Sequence, residues 1–178
     1  MVKKYLFNIL IVVLLLLTTL TITAQEQPIF RIGILDSERG AIANGARLAV
    51  AELNEQGGIE TADGTLFRLE LIVQSTAEGN SLEEAVIALD NAGIIAALGP
   101  ETTEDVLSNL PLLQSLNVPL LTPAVGDTVI ASDSAGLLFR TRAAERLQGF
   151  ALADYVVNDL NISQIITVQL DRNSTASR

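Results

Sequence analysis

The chain has 178 residues, 49% of them hydrophobic and 4% aromatic, enough for one domain or for one domain and part of another. It contains no cysteine and no histidine, which excludes disulfides, thiolate catalysis and the Ser-His-Asp and Cys-His designs, and leaves carboxylates as metal ligands, for a hard cation if any. Beyond Ala24, nine arginines stand against 21 acids, a net charge of −12 that repels nucleic acid and anionic membrane surfaces.

Lys3 and Lys4 precede an unbroken apolar run over residues 9–17, and a small, polar stretch ends at Thr23 and Ala24. That pattern predicts a secretory signal peptide over residues 1–24, with an uncleaved anchor as the alternative. Over residues 5–24 Asn8 and several threonines interrupt the apolar character, whereas a spanning helix needs about 20 mostly apolar residues. The mature chain is expected on the periplasmic or extracellular face of the cell membrane.

From Pro28 onward, short apolar runs alternate with segments of helical period, the pattern of a parallel sheet with helices on its faces. "IFRIGILD" is the first strand, nearly continuous in apolar residues as a strand covered on both faces should be. "NGARLAVAELNEQGGI" is a helix rich in small residues, ended by Gly57 and Gly58 in a left-handed cap. A turn at Asp63 and Gly64 leads into "LFRLELIVQ", the second strand. Ser81 and Glu84 form a capping box that opens a helix through Leu89, which Gly93 breaks. "IIAALG" is strand three. A helix is expected over residues 102–116, disturbed or split by Pro111 because proline lacks the backbone donor and crowds the preceding turn. "VPLLTPAV" supplies a short fourth strand, and "LLFRTRA" a strand end. "AERLQGFALADYVVNDL" reads as an amphipathic helix burying Leu147, Phe150, Ala151, Ala153 and Val157, and "SQIITVQLD" as one more strand.

In an open α/β sheet, ligands bind beyond the carboxyl ends of the strands. Those ends fall at residues 35–40, 74–80, 99–103, 122–126 and 171–175. The third of them, "ALGPETTEDV", is not a phosphate loop, since no glycine-rich fingerprint or lysine-bearing loop occurs and its acids repel a polyanion. Glu104 and Asp105 fit the first turn of a helix capped by Thr102, where acids complement the dipole. Thr102, Thr103 and nearby backbone N–H groups are alternatively suited to one small carboxylate. Glu38, Arg39 and Glu101 are the only set that an enzyme reading would use, against a solvated rim as the plain alternative. No cofactor or metal is implied.

The order of "RIGILD", "NGARLAVAELNEQGGI", "AALGPETTEDVLSNLPLLQSLNVPLLTPAV", "LLFRTRAAERLQGFALADYV" and "IITVQLD" resembles the type I periplasmic binding proteins, and most nearly the branched-chain amino-acid (Leu/Ile/Val-type) substrate-binding components of ABC transporters. The resemblance runs from about Phe30 onward. It implies an α/β fold, a three-layer sandwich with a parallel sheet: the first lobe over residues 28–142, then a crossover helix and the first strand of an incomplete second lobe over residues 143–178. The chain is therefore expected to be a fragment of a longer protein or a truncated gene product.

The same resemblance implies a non-enzymatic protein that binds an amino acid or similar small carboxylate and hands it to a membrane permease, monomeric when full length. A sensory or regulatory ligand-binding domain of this fold is the alternative. By analogy Thr103 meets the ligand's α-carboxylate and the Ala124 carbonyl its α-ammonium. Gly126 stands where a threonine hydroxyl commonly joins the ammonium, and Thr175 where an aromatic is usual.

Overall fold

The computed structural model describes residues 27–76 and 81–166, so the expected signal segment and Thr175 lie outside the described residues. At the centre is β1 (Ile29–Leu35), parallel to β3 (Leu66–Gln74) on one side and to β4 (Ala96–Leu98) on the other. Outward from β4 follow β5 (Leu120–Thr122) and β6 (Leu138–Arg140), both parallel, giving the order β2-β3-β1-β4-β5-β6. The remaining strand, β2 (Ile59–Glu60), pairs antiparallel with β3 through the Asp63-Gly64 turn. This two-residue strand was not expected from the sequence, because two residues carry no readable period.

Alternation along the strands sends side chains to two covered faces. Ile34 of β1 packs with Leu71 and Val73 of β3 and with Ala43 and Ala46 of α1 (Ala41–Glu55). Leu35 points the other way, into the larger core with Val86 and Leu89 of α2 (Leu82–Asn91), Val106 of α3 (Thr103–Ser108) and Leu113 of α4 (Leu110–Gln114). The result is the expected three-layer sandwich. Ile34, Leu89 and Val106 are fully buried, each contributing about 1.5–3 kcal/mol relative to exposure.

Several local expectations are met. Gly57 and Gly58 end α1 with φ of 106° and 97°, a region closed to most other residues. Ser81 caps α2, its hydroxyl accepting from Glu83 N at 3.2 Å, although no return bond from Glu84 completes a box among the described residues. Pro111 splits the helix after β4 into α3 and α4, sitting in the first turn of α4, where a missing donor costs nothing. A one-turn helix, α5 (Thr128–Ala131), lies between β5 and β6, where the sequence analysis assigned no element.

The expected buried stripe is not found. α6 (Glu145–Asp154) continues into a π-helical turn, Tyr155–Asp159, and neither contains a buried residue. Leu147, Phe150, Ala151, Ala153 and Val157 are all exposed, because no described element packs against that face. Residues 163–166, the described part of the expected last strand, are exposed and unpaired with the sheet. Among the described residues no helix is long and apolar enough to cross a membrane.

Candidate functional site

The chain reverses its direction of winding at β1, so a crevice is expected beyond the carboxyl ends of β1 and β4. The β1 exit is filled from within. Asp36, 8% exposed, accepts from Ser37 N at 2.7 Å, Ile42 N at 3.0 Å and Ala43 N at 3.1 Å, capping α1 with a carboxylate. Gly40 makes this possible, since a Cβ there would collide with the Asp36 carboxylate.

The exits of β4, β5 and β6 are bound to one another. Thr122, fully buried at the end of β5, donates its hydroxyl to Pro100 O at 2.6 Å and accepts from Ala124 N at 3.0 Å. Pro100 itself follows a cis peptide bond at Gly99. From the β6 exit, Thr141 N donates to Thr122 O at 3.0 Å and Glu145 N to Val125 O at 2.8 Å. Arg140 reaches back along the same edge, its Nη2 donating to Gly126 O at 2.8 Å.

Between these exits lies an open cleft of about 780 Å³. Thr102 and Thr103 line it from the β4 side, Val125 and Gly126 from β5, and Arg142 and Glu145 from β6. Of the residues singled out in the sequence, Thr102, Thr103 and Gly126 thus share one cleft. Ala124 lies just behind it, 2% exposed, between the cleft-lining Pro123 and Val125.

The two threonines differ in what they have left to offer. Thr102 donates to Asp105 Oδ2 at 2.6 Å and accepts from Asp105 N at 3.1 Å, the helix cap that the sequence suggested. Thr103 Oγ1 accepts from Gly126 N at 2.9 Å, which leaves its O–H as a donor at the cleft. Gly126 is required for this contact, since a Cβ there would strike the Thr103 methyl and lie 2.8 Å from Oγ1.

Charge in the cleft is mixed: Glu101, Glu104, Asp127 and Glu145 against Arg142 and Arg146. Arg146 and Asp127 are 3.9 Å apart and well exposed, a pair of little energetic weight. The set Glu38, Arg39 and Glu101 is not assembled, for Glu38 pairs with Arg47 at 2.9 Å and only Glu101 reaches the cleft. Among the described residues no cluster of three or more acids could hold a metal ion. Arg142, Glu145 and Arg146 were missed in the sequence, where the strand-end rule stopped short of the β6 exit.

The fold recurs in solved proteins. The fold is one lobe of a type I periplasmic binding protein. The lobe matches LivJ, the branched-chain amino-acid transporter substrate-binding protein of Streptococcus pneumoniae in complex with isoleucine, at TM-score 0.55 and 25% identity. It matches an ABC transporter substrate-binding protein of Desulfitobacterium hafniense in complex with leucine at 0.58 and 22%. A third likeness, at 0.55 and 17%, is to an ABC transporter solute-binding protein of Rhodopseudomonas palustris in complex with 4-hydroxybenzoate. Each match covers 74% of this chain, but only 39%, 39% and 36% of the respective partner, so the lobe spans well under half of those proteins. No protein-family model and no curated protein matches the sequence.

Proposed function

We propose that this chain supplies a solute-binding lobe of an exported ABC transport system, and that its cleft takes an amino acid or similar small carboxylate. The observation that carries this reading is the Thr103 hydroxyl: it lines the cleft, accepts from Gly126 N–H, and keeps its own hydrogen free to donate. A hydroxyl that accepts one bond is a better donor of the next, and a carboxylate is its strongest partner. The molecules in the three related complexes, isoleucine, leucine and 4-hydroxybenzoate, have a carboxyl group in common.

For an amino acid, Glu145 adds a place for the ammonium. It is half-buried at the cleft, and among the described residues its carboxylate makes no hydrogen bond or ion pair. The Ala124 carbonyl, next to the lining residues, is the second acceptor in this reading. No step of bond making or breaking is involved, and the neighbours are binding proteins rather than enzymes. Delivery to a permease, and an extracytoplasmic location, follow from the same reading and from the signal-like residues 1–24.

The test is a titration of the isotope-labelled chain with leucine and with 4-hydroxybenzoate, followed by nuclear magnetic resonance. Amide signals of Thr103 and Gly126 should move with saturation, and Thr103→Val should weaken binding roughly ten- to a hundredfold, as loss of a hydrogen bond to a charged group does. Unmoved signals, or a Thr103→Val chain that binds as the parent does, would overturn the reading.

A further inference from the structure

The Thr103 hydroxyl is only as well placed as the glycine that holds it. Its Oγ1 accepts from Gly126 N at 2.9 Å, and no side chain can stand at position 126, because a Cβ there would strike the Thr103 methyl. Glycine also restrains its own backbone less than any other residue does. The direction of the Gly126 N–H, and with it the place of the hydroxyl at the cleft, therefore depends on what grips the chain on the other side.

Two groups grip it at the carbonyl. Val129 N donates to Gly126 O at 3.2 Å, and Arg140 Nη2, from the end of β6, donates to the same oxygen at 2.8 Å. The second bond is shorter and comes from a charged donor, a type roughly twice as strong as a neutral one. It also ties Gly126 to the sheet, since Arg140 pairs with Thr122 across β5 and β6, whereas Val129 is three residues along the same stretch of chain.

The plain explanation is a staple that holds β6 against the loop after β5. Two observations weigh against it. That seam is already closed by backbone bonds, from Leu120 N to Leu137 O at 2.8 Å, Thr141 N to Thr122 O at 3.0 Å and Glu145 N to Val125 O at 2.8 Å. Arg140 is also a poor staple, for its Nε is buried without an acceptor, and among the described residues no ion pair engages it. A buried donor without a partner destabilises a fold, and an apolar side chain of the same length would avoid that cost.

We propose that Arg140 is a positioning residue of the solute site. By fixing the Gly126 carbonyl it fixes the Gly126 N–H, which holds the Thr103 oxygen in one place and leaves the O–H to donate to the solute. The inference rests on the carboxylate reading of Thr103 above. Arg140 does not line the cleft, so its effect on binding passes through Thr103 and is bounded by what that hydroxyl contributes. A planar guanidinium fork sets a carbonyl's direction better than one flexible ammonium does, so lysine is expected to replace it only in part.

The test is a double-mutant cycle, read by calorimetry with leucine and with 4-hydroxybenzoate, on the full chain, Arg140→Met, Thr103→Val and the double variant. Arg140→Met keeps the apolar stem and leaves Gly126 O its bond from Val129 N, so the urea midpoint should change little. Affinity should nevertheless fall roughly three- to tenfold, Arg140→Lys should recover part of the loss, and Arg140→Met should have no further effect in the Thr103→Val background. Without solute, hydrogen exchange at the Gly126 amide should quicken in Arg140→Met, while exchange at Thr141, bonded to Thr122 O, stays as in the parent. Should Arg140→Met not fold, Arg140→Lys carries the same cycle and the same exchange measurement. An Arg140 variant that binds as the parent does, losses that add in the double variant, or exchange that rises equally at Gly126 and Thr141 overturns the inference and leaves the Thr103 site standing. If neither solute binds, or Thr103→Val binds as the parent does, the carboxylate reading falls and this inference falls with it.

Discussion

Replacing Thr122 by valine removes one oxygen from the buried end of β5 while keeping shape and volume. The hydroxyl is fully buried and makes two bonds, to Pro100 O at 2.6 Å and from Ala124 N at 3.0 Å, both of which belong to buried residues. Leaving a buried carbonyl and a buried N–H without this partner costs about 1–3 kcal/mol apiece, so the loss should total about 2–6 kcal/mol. With a urea dependence of about 2 kcal/mol per molar, the middle of the range for a small domain, the unfolding midpoint should fall by about 1–3 M at unchanged slope. Thr122→Ser, which keeps the oxygen and deletes a methyl, should lose about half as much or less. A valine variant whose midpoint coincides with the parent's would show that the two exits are not held together by this hydroxyl.

Three further outcomes are expected. Gly126→Ala should cost about 1–3 kcal/mol in chemical denaturation, because the new methyl displaces the Thr103 side chain from a packed position. Asp36→Ala removes the acceptor of three backbone N–H groups, two of them in the first turn of α1, and should destabilise the fold by about 2 kcal/mol, visible as a lower melting temperature. Asp133 has its carboxyl pKa lowered from 3.8: burial pushes it up, but bonds from Leu138 N, Gln114 Nε2 and Ala135 N outweigh that. A depressed carboxylate stabilises the native state above the ordinary carboxylate range and loses that contribution as the pH falls through the lowered value. The stability difference between parent and Asp133→Asn should therefore be full at pH 7 and shrink below about pH 4 in urea titrations.

The elements that are local in sequence were legible in it. Gly57 and Gly58 announce a left-handed cap, Pro111 announces a break, and the apolar runs of β1 and β3 announce buried strands, because each depends on its own backbone or neighbours. What could not be read depends on contacts across the chain. Asp36 caps a helix that starts five residues later only because the loop folds back over Gly40. The period of α6 is plain in the sequence, but period specifies a face and not its partner, so Leu147 and Phe150 were expected inside and stand outside. The site was half legible. Thr103 lies at a strand exit that the topology rule names, whereas Arg142 and Glu145 enter the cleft only through the pairing of Thr122 with Arg140 across β5 and β6.

The contact between Gly126 and Thr103 ties together two positions 23 residues apart as one unit of mutational change. A side chain cannot enter at 126 while Thr103 keeps its place, and a smaller residue at 103 forfeits the hydroxyl's held geometry or its packing. Changes at the two positions should then be strongly non-additive, each harmful in the parent background and tolerated once the other has occurred. A drift from glycine to threonine at 126 has to pass through position 103, which makes the order of substitutions, and not only their identity, a property of this cleft.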